Sequence, residues 1–450
     1  MKADYQKFLT DKSQCGFNAG FDPVWIPDFL YDFQKVIVEW SIRKGRSAIF
    51  ADCGLGKTPM QLVWAENVVR KTGKPVLIIA PLAVAPQTVR EGMKFGIEVI
   101  QSRDGKIGPG ITATNYEQLH RFDPKPFAGV VCDESSILKN YSGMLRSEII
   151  AFMYSTPYRL LCSATPSPND YTELGNSVEA LGVMRRVEML ATYFIHDSGD
   201  TGKWRLKGHG YNPFWQFVAS WARAVKAPSD LGFDDGKFIL PKLIMKESVL
   251  KSKALFGQLF PISAVTLNEQ RYERRETINE RCNKVAEIAN ANKRPFVAWC
   301  SLNDESKLLA SLIDGAVEIT GDNSDDEKVA KMMDFAVGKI RAVVSKPSIC
   351  GHGMNWQHCA DASFFPSHSH EQFYQAIRRC WRFGQTREVI ANIVTTEAES
   401  EVLNNLKSKE IKAEEMFAAI VANMKQYYSA TPATYKPQKT IRNPSWLQSA

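Results

Sequence analysis

The chain of 450 residues has nine cysteines but no C-x-x-C pair among them, and their number is odd and their spacing irregular. That argues against a disulfide framework or a zinc ribbon as the organising device, and a reducing cytosol is the expected compartment. No apolar run reaches the roughly 20 residues that span a bilayer; the longest, PVLIIAPLAVAP, is about half that length. The N-terminus, MKADYQKFLT, lacks the apolar core of a signal peptide. A soluble, cytoplasmic protein without a membrane partner is the expectation. There is no repeat of solenoid length and no recognisable nuclease constellation. Acidic residues are in slight deficit, 49 against 56 Lys and Arg, and the net charge of +7 favours an anionic partner.

What the sequence does have is rhythm. Short β-branched and apolar runs, each followed by a helix-compatible stretch, occur at SAIFA (47–51), PVLIIA (75–80), GVVCDE (129–134) and RLLCSAT (159–165). The pattern resumes at PFVAWC (295–300), AVEIT (316–320), IRAVVS (340–345), ASFF (362–365) and EVIANIV (388–394). Such alternation predicts parallel sheets flanked by helices, arranged as two α/β lobes. The expected division is an N-terminal segment (1–24), a first lobe (25–184), a connector or insertion (185–255), a second lobe (256–425) and a basic tail (426–450). The last 26 residues carry four basic side chains, three prolines and no acidic residue, a composition suited to an extended tail.

In the first lobe, SAIFA runs into ADCGLGKT (51–58) and then into PMQLVWAENVVR, a phosphate-binding loop between strand and helix. Gly54, Leu55 and Gly56 would bring backbone N–H groups to a nucleotide, Lys57 would reach its β and γ oxygens, and Thr58 would supply a Mg²⁺ ligand. Ala51 stands where the general pattern has glycine. Downstream, the apolar GVVC ends in Asp133 and Glu134, at the carboxyl end of a strand where parallel sheets hold ligands. Asp133 would hold the Mg²⁺ shell, and Glu134 would orient or deprotonate the attacking water.

ADCGLGKT, APLAVAPQ, CDESSILKN, LCSATPSPND, GHGMNWQ and QAIRRCWRFGQ follow one another in the order of the superfamily-2 helicase motifs. More narrowly they resemble the Swi/Snf-type DNA translocases, in particular compact phage-encoded members, over roughly residues 25 to 410. The resemblance implies two tandem RecA-like lobes with ATP in the cleft between them. It assigns Gln34 to adenine, Ser163 and Thr165 to coupling of nucleotide state to lobe movement, and the glycine-rich loop with Gly353 and Asn355 to nucleotide and DNA together. Gln375, Arg379 and Arg382 match the Q-x-x-x-R-x-x-R spacing of the sixth motif. On a helix these three share a face, and paired guanidinium groups suit a γ-phosphoryl group leaving with charge.

Arg378 departs from the family's usual glycine, and solvent is its expected surroundings; Trp381 and Phe383 are expected to pack. The cluster Cys350, His352, His358 and Cys359 fits no structural-zinc spacing as well as it fits a flexible loop. Lys203, Arg205 and Lys207 around Trp204 are candidate DNA contacts, while Phe214, Val218, Trp221 and Val225 lie at the spacing of a helix core face. The expected activity is that of a monomeric DNA-dependent ATPase, with ATP and Mg²⁺ as cofactors, moving on double-stranded DNA. The alternatives are a strand-separating or branch-migrating helicase and, in another class, a DNA-binding scaffold that uses ATP only as a conformational switch.

Overall fold

The computed structural model of the protein describes residues 18–140, 143–167, 170–197, 200–251, 267–350, 355–367 and 369–425. Its strands are β1 (Arg46–Ala51), β2 (Val76–Ala80), β3 (Val99–Gln101), β4 (Ile111–Asn115), β5 (Gly129–Asp133), β6 (Tyr158–Ser163), β7 (Phe194–Asp197), β8 (Asp200–Leu206), β9 (Ala222–Val225), β10 (Leu243–Leu250), β11 (Phe296–Trp299), β12 (Ala316–Ile319), β13 (Ala342–Ser345), β14 (Asp361–Phe364) and β15 (Val389–Thr396). Seven form a sheet in the order β3-β4-β2-β5-β6-β1-β9, and six form another in the order β10-β15-β14-β11-β13-β12. Every pairing in both is parallel. The chain is thus α/β with two RecA-like lobes. β7 and β8 form a separate antiparallel hairpin.

Helices cover both faces of each sheet, so the inner strands read as continuous apolar runs rather than alternating ones. In β1, Ala48 and Phe50 join one core cluster while Ile49 and Ala51 join the cluster on the opposite face. β6 lies between β1 and β5, so the loops that leave β1 and β5 emerge one strand apart at the carboxyl ends of the strands. That is where an open α/β sheet offers a crevice.

The stretch 185–255 supplies an edge strand to each sheet: β9 pairs with β1, and β10 pairs with β15 along its full length. The helical spacing of Phe214, Val218 and Trp221 is real, because the helix Tyr211–Trp221 buries all three, but the helix stops there and Val225 lies in β9. β10, an edge strand, mixes exposed and partly covered positions along LIMKESVL, which is why it lacks an apolar run.

The 26-residue helix Ser400–Lys425 closes the expected second lobe but packs on both cores. At 1.5 Å per residue it is about 39 Å long. Leu403 and Leu406 pack in the core of the second lobe, whereas Met416, Phe417, Ile420, Val421 and Met424 pack in that of the first, with Phe217 and Trp221. Each fully buried side chain of this kind contributes about 2 kcal/mol, so the helix braces the two lobes. Among the described residues no helix is long and apolar enough to cross a membrane.

Candidate active site

The loop after β1 needs its glycines. Gly54 and Gly56 adopt φ of 91° and 78°, in the left-handed region. A Cβ on Gly54 would sit 2.7 Å from the backbone nitrogen of Phe383, and one on Gly56 would sit 2.3 Å from Nε2 of Gln34. The helix Lys57–Thr72 starts immediately afterwards, which brings a helix N-terminus and its free N–H groups to the crevice. Lys57 folds back to donate to the Ala51 carbonyl at 2.9 Å. Gln34 is buried, and its amide accepts from the Tyr31 N–H at 3.0 Å and donates to the Leu55 carbonyl at 2.8 Å. One Nε2 proton of Gln34 remains for a ligand.

Asp133 ends β5, and Oδ1 of its carboxylate accepts from Gln61 Nε2 at 2.6 Å and from the Glu134 N–H at 3.0 Å. Both bonds fall on one oxygen, which leaves Oδ2 for a hard cation of the kind that Thr58 also suits. Glu134 has φ of 51°, the only non-glycine in the left-handed region among the described residues. Such backbone strain clusters where a side chain must be aimed. Burial pushes both acids up, Glu134 to about 7; Lys57 and Arg379 oppose the rise, while Asp133 and Glu371 add to it. Burial also opposes the charge on Lys57, but Cys53, Glu134, Asp133 and Asp52 outweigh it and raise its pKa.

The second lobe faces these groups with the helix His370–Ile377 and the turn behind it. Gln375, Arg379 and Arg382 line the same 410 Å³ cavity as Gly54, Lys57, Asp133 and Glu134. Burial holds Arg379 down to about 9 and lowers Arg382 as well, so both guanidinium groups lie where an anion would relieve them. Buried polar atoms without a protein partner gather here: Oε2 of Glu134, both amide atoms of Gln375, and the side-chain oxygens of Gln87, Asn355 and Gln357. Leaving such an atom unmet costs about 1–3 kcal/mol; the oxygens among them accept, so water or the hydroxyl and amine groups of a ligand would meet them, while Gln375 Nε2 and the guanidinium groups offer donors to anionic oxygens. Thr58 and Asp133 fit a divalent cation bound beside such a ligand. The arrangement can cradle a phosphate chain, offer a carboxylate to a water and neutralise charge from the opposite lobe.

Other expected residues fall as follows. Ser163 is fully buried, and its hydroxyl accepts from the Thr165 N–H at 3.0 Å; Thr165 Oγ1 reaches Glu371 of the second lobe at 3.5 Å. Asn355 lines the cavity itself. Gly353 and His352 lie outside the described residues, and so does the basic tail 426–450. Cys359 donates its thiol to the carbonyls of Pro295 and Asp361 at 3.2 and 3.3 Å. Lys203 and Arg205 lie on β8, where the Arg205 side chain is exposed. Lys207 has a structural partner, donating to the Ala191 and Thr192 carbonyls at the end of a helix.

Arg378 is not in solvent. It is 8% exposed, and it forms an ion pair with Asp52 of the phosphate-loop segment while its guanidinium lies 4.2 Å from the Trp381 ring centre. Burial opposes its charge, but Tyr374 and Asp52 outweigh that and raise its pKa. Trp381 packs, donating Nε1 to the Pro241 carbonyl at 2.6 Å, and the Phe383 ring sits 5.0 Å from that of Phe238. Gln61, Glu371 and the aromatics Phe29, Tyr31 and Phe238 carry no sequence signal strong enough to single them out, and Lys139 stands inside the CDESSILKN motif without a role that the sequence assigns to it.

No family model matches the chain. It is 25% identical to protein p41 of Acyrthosiphon pisum secondary endosymbiont phage 1 over 423 residues, covering 80% of this chain and 89% of that protein. It is 27% identical to the uncharacterised ATP-dependent helicase YqhH of Bacillus subtilis (strain 168) over 197 residues, covering 40% of this chain and 34% of that one. Among solved structures, the Sulfolobus solfataricus SWI2/SNF2 ATPase core in complex with dsDNA aligns with 15% identity and a TM-score of 0.43, over 90% of this chain and 96% of that one.

Proposed function

We propose that the protein is an ATP-dependent DNA motor of Swi/Snf type, which hydrolyses ATP to ADP and phosphate to translocate on, or remodel, double-stranded DNA. One observation carries this reading: Lys57, Asp133 and Glu134 from one parallel sheet and Gln375, Arg379 and Arg382 from the other line a single interlobe cavity. Six motifs in the order of the helicase superfamily support it, as does similarity to an ATP-dependent helicase over 197 residues.

ATP would lie with its phosphates on the loop Gly54–Thr58, where backbone N–H groups and Lys57 meet the β and γ oxygens. Thr58 and Asp133 would hold Mg²⁺, which when bound neutralises charge on those oxygens. Glu134 would orient the attacking water and accept its proton. Arg379 and Arg382 reach the same cavity from the other lobe and would stabilise the leaving γ-phosphoryl charge. Because half of the charge-neutralising groups belong to each lobe, chemistry requires closure, and product release permits opening. Alternate gripping of the DNA backbone through phosphate contacts, largely independent of sequence, would turn that cycle into steps.

The Swi/Snf-like wording of DESSILKN and RFGQ favours translocation with little strand separation. A triplex-displacement assay on linear duplex tests movement, and a strand-displacement assay on blunt duplex, forks and Holliday junctions tests separation. Displacement of the triplex strand without unwinding is the expected result, and processive unwinding of blunt duplex would instead establish the helicase alternative.

A further inference from the structure

The helix His370–Ile377 and its following turn carry a second set of side chains beside the cavity-facing one. Glu371, Tyr374 and Arg378 are three and four residues apart, so they too share a face. All three bond to the first lobe. Glu371 pairs with Lys139 at 2.7 Å, with the two side chains 8% and 5% exposed, and it also accepts from Thr165. Tyr374 donates its hydroxyl to Oδ1 of Asp52, and Arg378 donates Nη2 to Oδ2 of the same carboxylate.

Asp52 is well placed to be gripped. It is 6% exposed, its N–H donates to the Val225 carbonyl of β9 at 2.9 Å, and its side chain accepts from the Cys53 N–H. The loop that begins at Asp52 is therefore tied to the first sheet by backbone and to the second lobe by side chain. Arg378 lines the 410 Å³ cavity and also a 580 Å³ cavity on the other side, bounded by Thr165, Tyr374 and Phe417, so the Asp52–Arg378 pair is part of the wall between them. Tyr374 and Trp381 flank the guanidinium, with ring centres 5.2 and 4.2 Å away.

We propose that Glu371, Tyr374 and Arg378 form an interlobe clamp on Lys139 and Asp52, which holds the arginine-bearing face of the second lobe in register with the phosphate loop through protein contacts alone. These are positioning residues: they act on Gln375, Arg379 and Arg382 through the helix they share, not on the reacting atoms. A clamp made of protein groups raises the fraction of molecules already closed when nucleotide arrives, and apparent affinity scales with that fraction.

The inference rests on the ATPase reading for its kinetic consequence but not for its structural one, and the test keeps the two apart. Amide hydrogen exchange of residues 52–58 and 370–378 is measured on the nucleotide-free full chain, for the native protein and for D52N, Y374F, R378Q and the exchanged pair D52K/R378E. The clamp predicts exchange faster by about tenfold or more in the single variants, least in Y374F, and protection restored in the exchanged pair. In steady-state turnover, R378Q raises KM for ATP about tenfold with a smaller fall in kcat, as loss of pre-closure requires. Unchanged exchange in all three single variants overturns the clamp, as does a collapse of kcat at constant KM, which would make Arg378 a group of the chemistry itself. Absence of turnover in the native protein, with exchange accelerated in the variants, would remove the proposed function and leave the clamp standing.

Discussion

Gln61, on the helix that follows the phosphate loop, donates Nε2 to Oδ1 of Asp133 at the end of β5, 2.6 Å away. The bond fixes the carboxylate proposed for Mg²⁺ and counters the rise in its pKa that burial imposes. A Q61L substitution keeps the volume and removes the donor. Partners of this kind are worth about 10–100-fold in metal affinity, so half-saturation by Mg²⁺ in the ATPase assay rises about tenfold or more, with a smaller effect on kcat at saturating Mg²⁺.

Arg382 reaches the cavity from the second lobe. If it stabilises charge on the leaving phosphoryl, R382A lowers turnover about 10³-fold or more, while a fluorescent ATP analogue still binds within about threefold of native affinity. Weakened DNA binding with normal turnover would instead make this residue part of a nucleic-acid surface.

Glu134 has its pKa raised from 4.5 to about 7, burial being the largest cause. As the proposed base it must be ionised, and kcat/KM reports the free enzyme. The profile should therefore show an acid limb near pH 7, with kcat/KM falling about tenfold from pH 8 to pH 6, and E134Q should abolish turnover at every pH. The stability effect has the opposite sign. Between about pH 4.5 and 7 the folded state holds a proton that the unfolded state has released, so this group's contribution falls as pH rises through that window. E134Q is expected to melt at a higher temperature than the native protein at pH 8, by differential scanning calorimetry.

Phe417 lies on the C-terminal helix but is buried in the core of the first lobe. F417A leaves a cavity there and costs about 3–5 kcal/mol. Because the helix also packs in the second lobe, limited proteolysis should find 400–425 more accessible, with turnover reduced through loss of the brace. A stability loss confined to the first lobe without such exposure would contradict the bracing role.

Much of the fold was legible because parallel strands buried on both faces must be apolar throughout: β1, β2, β5 and β6 stand out for that reason. β4 did not, since ITATN is fully buried yet rich in threonine and asparagine, and β9 was masked by a helical spacing that runs on into it, the helix ending at Trp221 and pairing with β1 starting at Ala222. The catalytic candidates were legible where chemistry is local in sequence, as in GLGKT and the adjacent Asp133 and Glu134. The contacts between lobes were not. Asp52 and Arg378 are 326 residues apart, and nothing in either neighbourhood announces the other; read alone, Arg378 looks like one more solvated charge on an arginine-rich stretch. Gln61 was hidden for a related reason, because a glutamine on an amphipathic helix acquires its role only once β5 is laid beside it.

The central claim is that the interlobe cavity couples ATP hydrolysis to DNA. Steady-state ATP turnover of the full chain, measured without nucleic acid and with single-stranded DNA, linear duplex, forks and RNA, tests it most directly. The account predicts a rise of about tenfold or more with duplex DNA, abolished by E134Q and R382A and larger than the rise with RNA. Turnover that duplex DNA leaves unchanged would contradict it.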